Sequence, residues 1–372
     1  MAEYDGITML TYIRETPSQL AKNISRRKEL TRSLVDVYLN GSYRSIWVIA
    51  CGSSANGSSC ARPFMRKCLG HDVEVINPAS FLYSDFLPSD DTLCFVVSQS
   101  GCSTNSLEAL DKLHELNRPA IGITGNLEGD FRDHTDLLVD WGAETEIVGY
   151  VTKGVTTLAA YLMLFALEAG LAKGTVSQAA YDDLVAQLEI VPAVNEEVQR
   201  RTDAFFEENR EALTAINVNY VCGFDQAYGI CAEAALKFGE TMKIPSFAFE
   251  AEEFNHGPNL QLTPNYTVFF VDDLNKGHNR LIQLWKATSF ITDRAYLLTD
   301  DASLSGKNVF AIPESRPSEP LLEPLYLLPF FQTIAFRATD ELNRWKEHPL
   351  FSLYREAAPS KTKTISKVMP LL

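Results

Sequence analysis

Residues 92–97 form an apolar run rich in β-branched side chains. It breaks into Ser98-Gln99-Ser100-Gly101, and a helical pattern begins near Ser103. A buried strand that feeds a hydroxyl-rich turn and then a helix start makes an anion site, because backbone N–H groups and hydroxyls converge where the helix dipole is positive. Ser98, Ser100 and Ser103 can donate O–H bonds, Gln99 can donate N–H bonds, and Gly101 lets the backbone come close. The stretch has no P-loop lysine and no GxGxxG, so the expected ligand is a monophosphate held by neutral donors rather than a nucleotide. Taken alone, such a loop could simply cap its own helix.

The loop has a companion. Residues 46–50 are a second apolar run, ending in Cys51-Gly52-Ser53-Ser54-Ala55-Asn56-Gly57. The alternation predicts strands at 46–50, 73–76, 92–97, 120–124 and 136–140, with helices at 55–69, near 79–86 and at 103–116. Strands alternating with helices at this interval point to a doubly wound parallel sheet, and both hydroxyl turns then open at its carboxyl edge, where ligands bind. The pattern restarts after a polar helical stretch at 175–215. Asn219-Tyr220-Val221-Cys222-Gly223-Phe224 mirrors the first strand and its Cys-Gly pair, and 267–271 mirrors 95–97. Asp272-Asp273 takes the place of the serine turn, where carboxylates would repel a phosphate. A repeat of this length means two tandem α/β domains, each a parallel sheet flanked by helices.

Composition narrows the partners. A formal charge of −15 over 372 residues argues against nucleic acid or an anionic membrane, and it requires any phosphate site to be made locally. Residues 157–172 are apolar but too short to span a bilayer, and read as a core helix. The start, MAEYDGITML, has no basic and apolar leader pattern. Seven cysteines without a CxxC pair fit a reducing cytoplasm, and six scattered histidines give no metal-ligand spacing. Neither metal nor cofactor is expected.

Cys51-Gly52-Ser53-Ser54 followed by Ser98-Gln99-Ser100-Gly101 resembles the sugar isomerase (SIS) domain, above all the isomerase half of glucosamine-6-phosphate synthase and the fructosamine-6-phosphate deglycases. The resemblance covers about residues 40–365. It implies phosphate binding by Ser53, Ser54, Ser98, Gln99, Ser100 and Ser103, with substrate contacts from Cys51, Gly52 and Thr152. Ser103 stands where the family usually has Thr, Cys102 where the synthase has Glu, and Val151 where a Ser is common. In the second repeat, Glu233, Lys237 and Glu240 share a helix face at i, i+4 and i+7, a spacing that also suits a solvated ion-pair stripe. However, Ala234-Ala235-Leu236-Lys237-Phe238-Gly239-Glu240 resembles the family's ALKLKE helix, and Phe254-Asn255-His256-Gly257-Pro258 resembles its ELKHGP loop. By resemblance Glu240 is the general base at C1–C2, with Glu233 next in line. His256 is the acid at the carbonyl or ring oxygen, reaching over from a partner subunit, and Lys237 is a substrate-site lysine. The tail Ser360-Lys361-Thr362-Lys363-Thr364 resembles the family's closing KSVT stretch, with Lys361 as the matching lysine and Lys363 the alternative.

The organisation that follows is a helical lead-in (1–40), a phosphate-binding domain (41–174), a helical linker (175–215), a catalytic domain (216–346) and a closing tail (347–372). No N-terminal Cys nucleophile of a glutaminase is seen, so amide-nitrogen transfer is not expected. The reading that results is a cytoplasmic, dimeric deglycase of fructosamine 6-phosphates, favoured also by His348-Pro349-Leu350, which resembles a segment of the deglycase-like relatives. A phosphosugar ketose–aldose isomerase or deaminase would use the same residues. A non-catalytic sugar-phosphate sensor would need the serine turns but not Glu240 and His256. Apolar residues at 246–249 and 326–336 are expected to supply the dimer surface.

Overall fold

The structure is a computed structural model that describes residues 6–84, 87–144 and 146–370. Residues 1–5 of the expected lead-in and residues 85–86 of the helix expected near 79–86 lie outside the described residues. The chain divides into two compact units. One takes in Ser18–Ala186 and the chain from Glu347 onward, and the other takes in Met9–Pro17 and Gln187–Lys346. The lead-in is thus shared: the helix Met9–Ser25 starts in one unit and ends in the other. The polar stretch at 175–215 forms a single helix, Gln178–Thr214, of 37 residues.

In the first unit, strands β1 (Ser45–Ile49), β2 (Asp72–Ile76), β3 (Thr92–Ser98), β4 (Ile121–Thr124) and β5 (Leu137–Asp140) form a sheet in the order β2-β1-β3-β4-β5. All pairings are parallel, with Ile49 opposite Val96 and Val97 opposite Ile123. Every residue of β3 is buried, as a central parallel strand covered on both faces requires. The strand order reverses between β1 and β3, so the turns leaving these two strands flank the switch point where doubly wound sheets bind ligands. Helices Ser53–Leu69 and Thr104–Glu115 follow those turns. The helix Lys153–Lys173 is long and apolar enough to cross a membrane by length and composition, yet it is buried along most of its length and packs on Ser53–Leu69. It is a core helix of this unit.

The second unit repeats the plan. Strands β6 (Asn219–Gly223), β7 (Ser246–Glu250), β8 (Thr267–Val271), β9 (Ala295–Thr299) and β10 (Val309–Ala311) are parallel and ordered β7-β6-β8-β9-β10, which is the order of the first sheet strand for strand. Its core is aromatic: Phe269 lies between Phe238, Tyr296 and Phe331, with ring centroids 5.6, 5.1 and 5.6 Å away. Here one expectation is corrected. Residues 326–336 belong to the helix Pro324–Glu341 and are buried throughout, so they cover this sheet instead of offering a partner surface. An apolar sheet face needs a cover, and this helix is long and apolar enough to be one.

Candidate active site

The turn after β3 places Ser98, Gln99, Ser100 and Ser103 together, all at most 8% exposed. Gly101 has φ +63°, a conformation that glycine adopts without strain, and it lets the turn fold back so that the Gly101 N–H donates to the Ser98 carbonyl. Ser103 occupies the N-cap position of Thr104–Glu115, but its side chain makes no capping bond. Its hydroxyl lies instead 3.1 Å from that of Ser98 and 2.7 Å from the Lys361 ammonium. The plain capping reading of this loop therefore fails at Ser103.

Gln99 is wedged between two glycines. A Cβ at Gly154 would stand 2.1 Å from its Oε1, and one at Gly125 would stand 2.9 Å from its Nε2. Oε1 is buried with no hydrogen-bond partner, an arrangement that awaits a donor. Ser53 and Ser54 are buried at the start of their helix, while Gly52 is exposed beside them. Cys51 is half-buried and its thiol accepts from Asn105 Nδ2 at 3.5 Å, which ties the first turn to the helix after the second. Thr152 is buried, and its hydroxyl donates to the Tyr150 carbonyl at 2.6 Å. The N-terminus of Lys153–Lys173 is held by the buried Glu146 carboxylate, which accepts from Thr152 N at 2.5 Å and Gly154 N at 2.7 Å. Glu146 carries no local sequence signal, since the bonds cross an irregular loop.

Lys361 reaches this turn through the tail. Residues 360–362 pair antiparallel with Ser103: Thr104 N donates to Ser360 O at 3.1 Å and Thr362 N to Cys102 O at 3.0 Å. The Lys361 ammonium thus meets the Ser103 hydroxyl and, at 3.4 Å, that of Ser100. Burial pulls its pKa down, and the nearby Cys51 and Cys102 thiols only partly offset this. Lys363 is exposed. Cys102, in the position of the synthase's Glu, is fully buried against Val368 and Met369, and burial pushes its thiol pKa up.

The second unit carries the other predicted group. Glu233 and Lys237 lie near the end of the helix Asp225–Lys237, which continues as a π-helical turn, Phe238–Met242. The Lys237 side chain is wholly buried, 3.3 Å from Glu233 and ion-paired with Glu240. Burial alone would lower the Lys237 pKa; the two carboxylates outweigh it and the net shift is upward. The solvated-stripe reading is therefore excluded for Glu233 and Lys237. Glu240 retains 28% side-chain exposure, whereas Glu233 has 1%, so Glu240 is the carboxylate of the pair that a ligand can reach. Wide π turns recur at functional positions. His256 follows the short helix Ala251–Asn255, is exposed, and its imidazole makes no hydrogen bond among the described residues.

At the switch point of the second sheet, carboxylates replace hydroxyls. Asp272 is buried and accepts from His278 Nδ1 at 2.7 Å and Thr299 Oγ1 at 2.6 Å, and Asp273 accepts from the Gly277 N–H at 3.1 Å. Burial raises the Asp272 pKa despite these bonds. Such an edge offers a phosphate nothing. Among the described residues the hydroxyl-lined turn pair is in the first unit, and Ser98→Ala or Ser100→Ala should weaken binding of a phosphorylated sugar about 10- to 100-fold, about 1.5–3 kcal/mol for each lost charge-assisted bond, with the fold unchanged. Titration of fructose 6-phosphate against fructose measures this, and equal affinity of the wild-type protein for both would end the assignment.

Known proteins agree with this architecture. The family model described as SIS domain matches residues 42–167. Over 346 residues, 89% of this chain, 26% of positions are identical to glutamine–fructose-6-phosphate aminotransferase (isomerizing) of Symbiobacterium thermophilum, and the match covers 56% of that protein. The chain thus spans about half the length of the curated relatives it matches. Among solved structures, a candidate phosphosugar isomerase of Clostridium difficile superposes with a TM-score of 0.86 at 22% identity, covering 96% of this chain and 99% of that one. The C-terminal domain of glucosamine-fructose-6-phosphate aminotransferase of Francisella tularensis gives 0.79 at 19% identity, covering 93% and 99%. The serine turns lie within the segment 42–167 that the SIS domain model matches, and the second sheet repeats the strand order of the first.

Proposed function

We propose that the protein is a phosphosugar-processing enzyme, a deglycase that acts on fructosamine 6-phosphates. The observation that carries the reading is the Glu233–Lys237–Glu240 cluster. Desolvating such charges costs several kcal/mol per ion, and strongly perturbed charged groups gather where chemistry is done. The serine turn with Lys361 is the phosphate grip, and Glu240 and His256 are the acid–base groups. Glu240 removes a proton from C1 of the open-chain ketosamine while His256 protonates the C2 oxygen, giving the 1,2-enaminol. Return of the proton to C2 leaves an imine at C1. Water adds to that carbon and the amine departs, so one ketosamine phosphate and one water give one aldose 6-phosphate and one amine. A positioned carboxylate and imidazole suit both transfers. Lys237 holds Glu240 in place through their ion pair.

The working form is a homodimer or a larger even assembly with shared sites. The exposed imidazole of His256, which makes no hydrogen bond among the described residues, supports this, as do Phe247 on the edge strand β7, at 50% exposure, and the exposed Leu350, Leu353 and Tyr354. All seven cysteines are free thiols, in keeping with a reducing cytoplasm. Incubation with a panel of Amadori 6-phosphates and plain sugar phosphates, followed by mass detection, tests the reading. Release of free amine together with aldose 6-phosphate is expected. Interconversion of plain ketose and aldose phosphates alone would replace it with an isomerase, and binding without turnover would replace it with a sensor.

A further inference from the structure

We propose that Asp130 is a positioning residue that clasps the C-terminal strap and so sets Lys361 among the phosphate-binding hydroxyls. The inference rests on the phosphosugar reading above for what the cradle binds, but the clasp itself stands on separate geometry. Asp130 opens the short helical turn Asp130–Asp133 after β4. Its two carboxylate oxygens accept from two tail hydroxyls: Thr364 Oγ1 donates to Oδ1 at 2.7 Å, and Thr362 Oγ1 donates to Oδ2. The two threonines flank Lys363, which is exposed, and Thr362 directly follows Lys361.

The turn that carries Asp130 is itself fastened to the phosphate loop. Phe131 N donates to Gly101 O at 3.0 Å, and a Cβ at Gly129 would stand 2.2 Å from Ser100 O. Asp130 therefore moves with the serines, and the strap it holds is registered against them. Beyond the threonines, Val368 and Met369 close the strap down on Cys102 with Ile365 beside them. That apolar seat and the carboxylate thus hold the strap on both sides of Thr364, and the short pairing at Ser103 holds it at Lys361.

The arrangement has an electrostatic purpose. The turn's own donors are neutral hydroxyls and amides, in a chain of formal charge −15. Lys361 brings a cation to within hydrogen-bond distance of two of those hydroxyls, 2.7 Å from Ser103 and 3.4 Å from Ser100. A phosphate held by the same hydroxyls meets that ammonium directly, and charge-assisted bonds are about twice as strong as neutral ones. A long flexible lysine on an untethered tail would lose most of this gain to conformational entropy. Asp130 removes that loss before the ligand arrives.

The test uses the full chain with the variants Asp130→Ala, Lys361→Met and the double variant. Hydrogen–deuterium exchange of residues 358–370 without ligand reports the strap, and titration with fructose 6-phosphate against fructose reports the cradle. Asp130→Ala is expected to speed exchange across the strap and to weaken fructose 6-phosphate about tenfold, the effect of one charge-assisted bond, with fructose unchanged. The double variant is expected to be no weaker than Lys361→Met alone, because Asp130 acts through Lys361. Unchanged strap exchange in Asp130→Ala, or losses that multiply in the double variant, would overturn the proposal. If the wild-type protein does not distinguish fructose 6-phosphate from fructose, the phosphosugar reading fails, and exchange still decides whether Asp130 holds the strap.

Discussion

Glu240→Gln is expected to lower turnover about 10²- to 10⁴-fold, the usual contribution of a positioned general base, with little change in ligand affinity. The amide is nearly isosteric with the carboxylate but cannot accept the C–H proton. Lys237 would keep its 3.3 Å pairing with Glu233, so the buried ammonium is not left without a counter-charge. Exchange of the C1 or C2 hydrogen of the substrate with solvent deuterium measures the step itself, apart from later hydrolysis. Undiminished exchange in the variant would move the base elsewhere. Glu233 would be the next carboxylate on that helix, although its 1% exposure demands that the helix end open before a sugar could meet it.

Mixing two inactive proteins should restore activity. If His256 completes the site of a neighbouring subunit, a dimer of one Glu240→Gln chain and one His256→Ala chain contains one site with both residues intact. Random pairing of equal amounts makes half of the dimers mixed, so about a quarter of the wild-type activity is expected from a two-fold assembly. Co-expression with two separable tags, followed by isolation of the mixed species, makes the measurement clean. The structural ground is that the His256 imidazole stands exposed at the end of a five-residue helix, with no hydrogen bond among the described residues, whereas Glu240 is held by Lys237. Absence of any rescue in the isolated mixed dimer, or a fully active monomer, would place both residues in one chain.

Much of the fold was legible without coordinates, for a local reason. Parallel strands buried on both faces are continuous apolar runs, and Gly/Ser turns punctuate them, so 46–50, 92–97 and 267–271 announce themselves within a few residues. The repeat was legible because a Cys-Gly pair recurs at or just past the end of the first strand of each half, and both sheets have the same strand order. The serines of the turn and the Glu–Lys–Glu spacing were likewise visible as types at positions.

What only the tertiary structure decided depends on groups far apart in sequence or on burial. A regular helix would set Glu233, Lys237 and Glu240 along one stripe, and nothing local tells a solvated stripe from a buried cluster; the packed core around Lys237 and the π turn after it made that difference. The aromatic residues at 326–336 looked like surface for a partner, because their apolarity is visible while the sheet they cover is not. Lys361 and Lys363 are equivalent by composition, and the antiparallel pairing of the tail with Ser103 turned the first inward and left the second in solvent. Asp130 had no signal at all. Its two partners lie 232 and 234 residues away, and a carboxylate in a surface turn becomes a clasp only when the folded chain brings two hydroxyls to it.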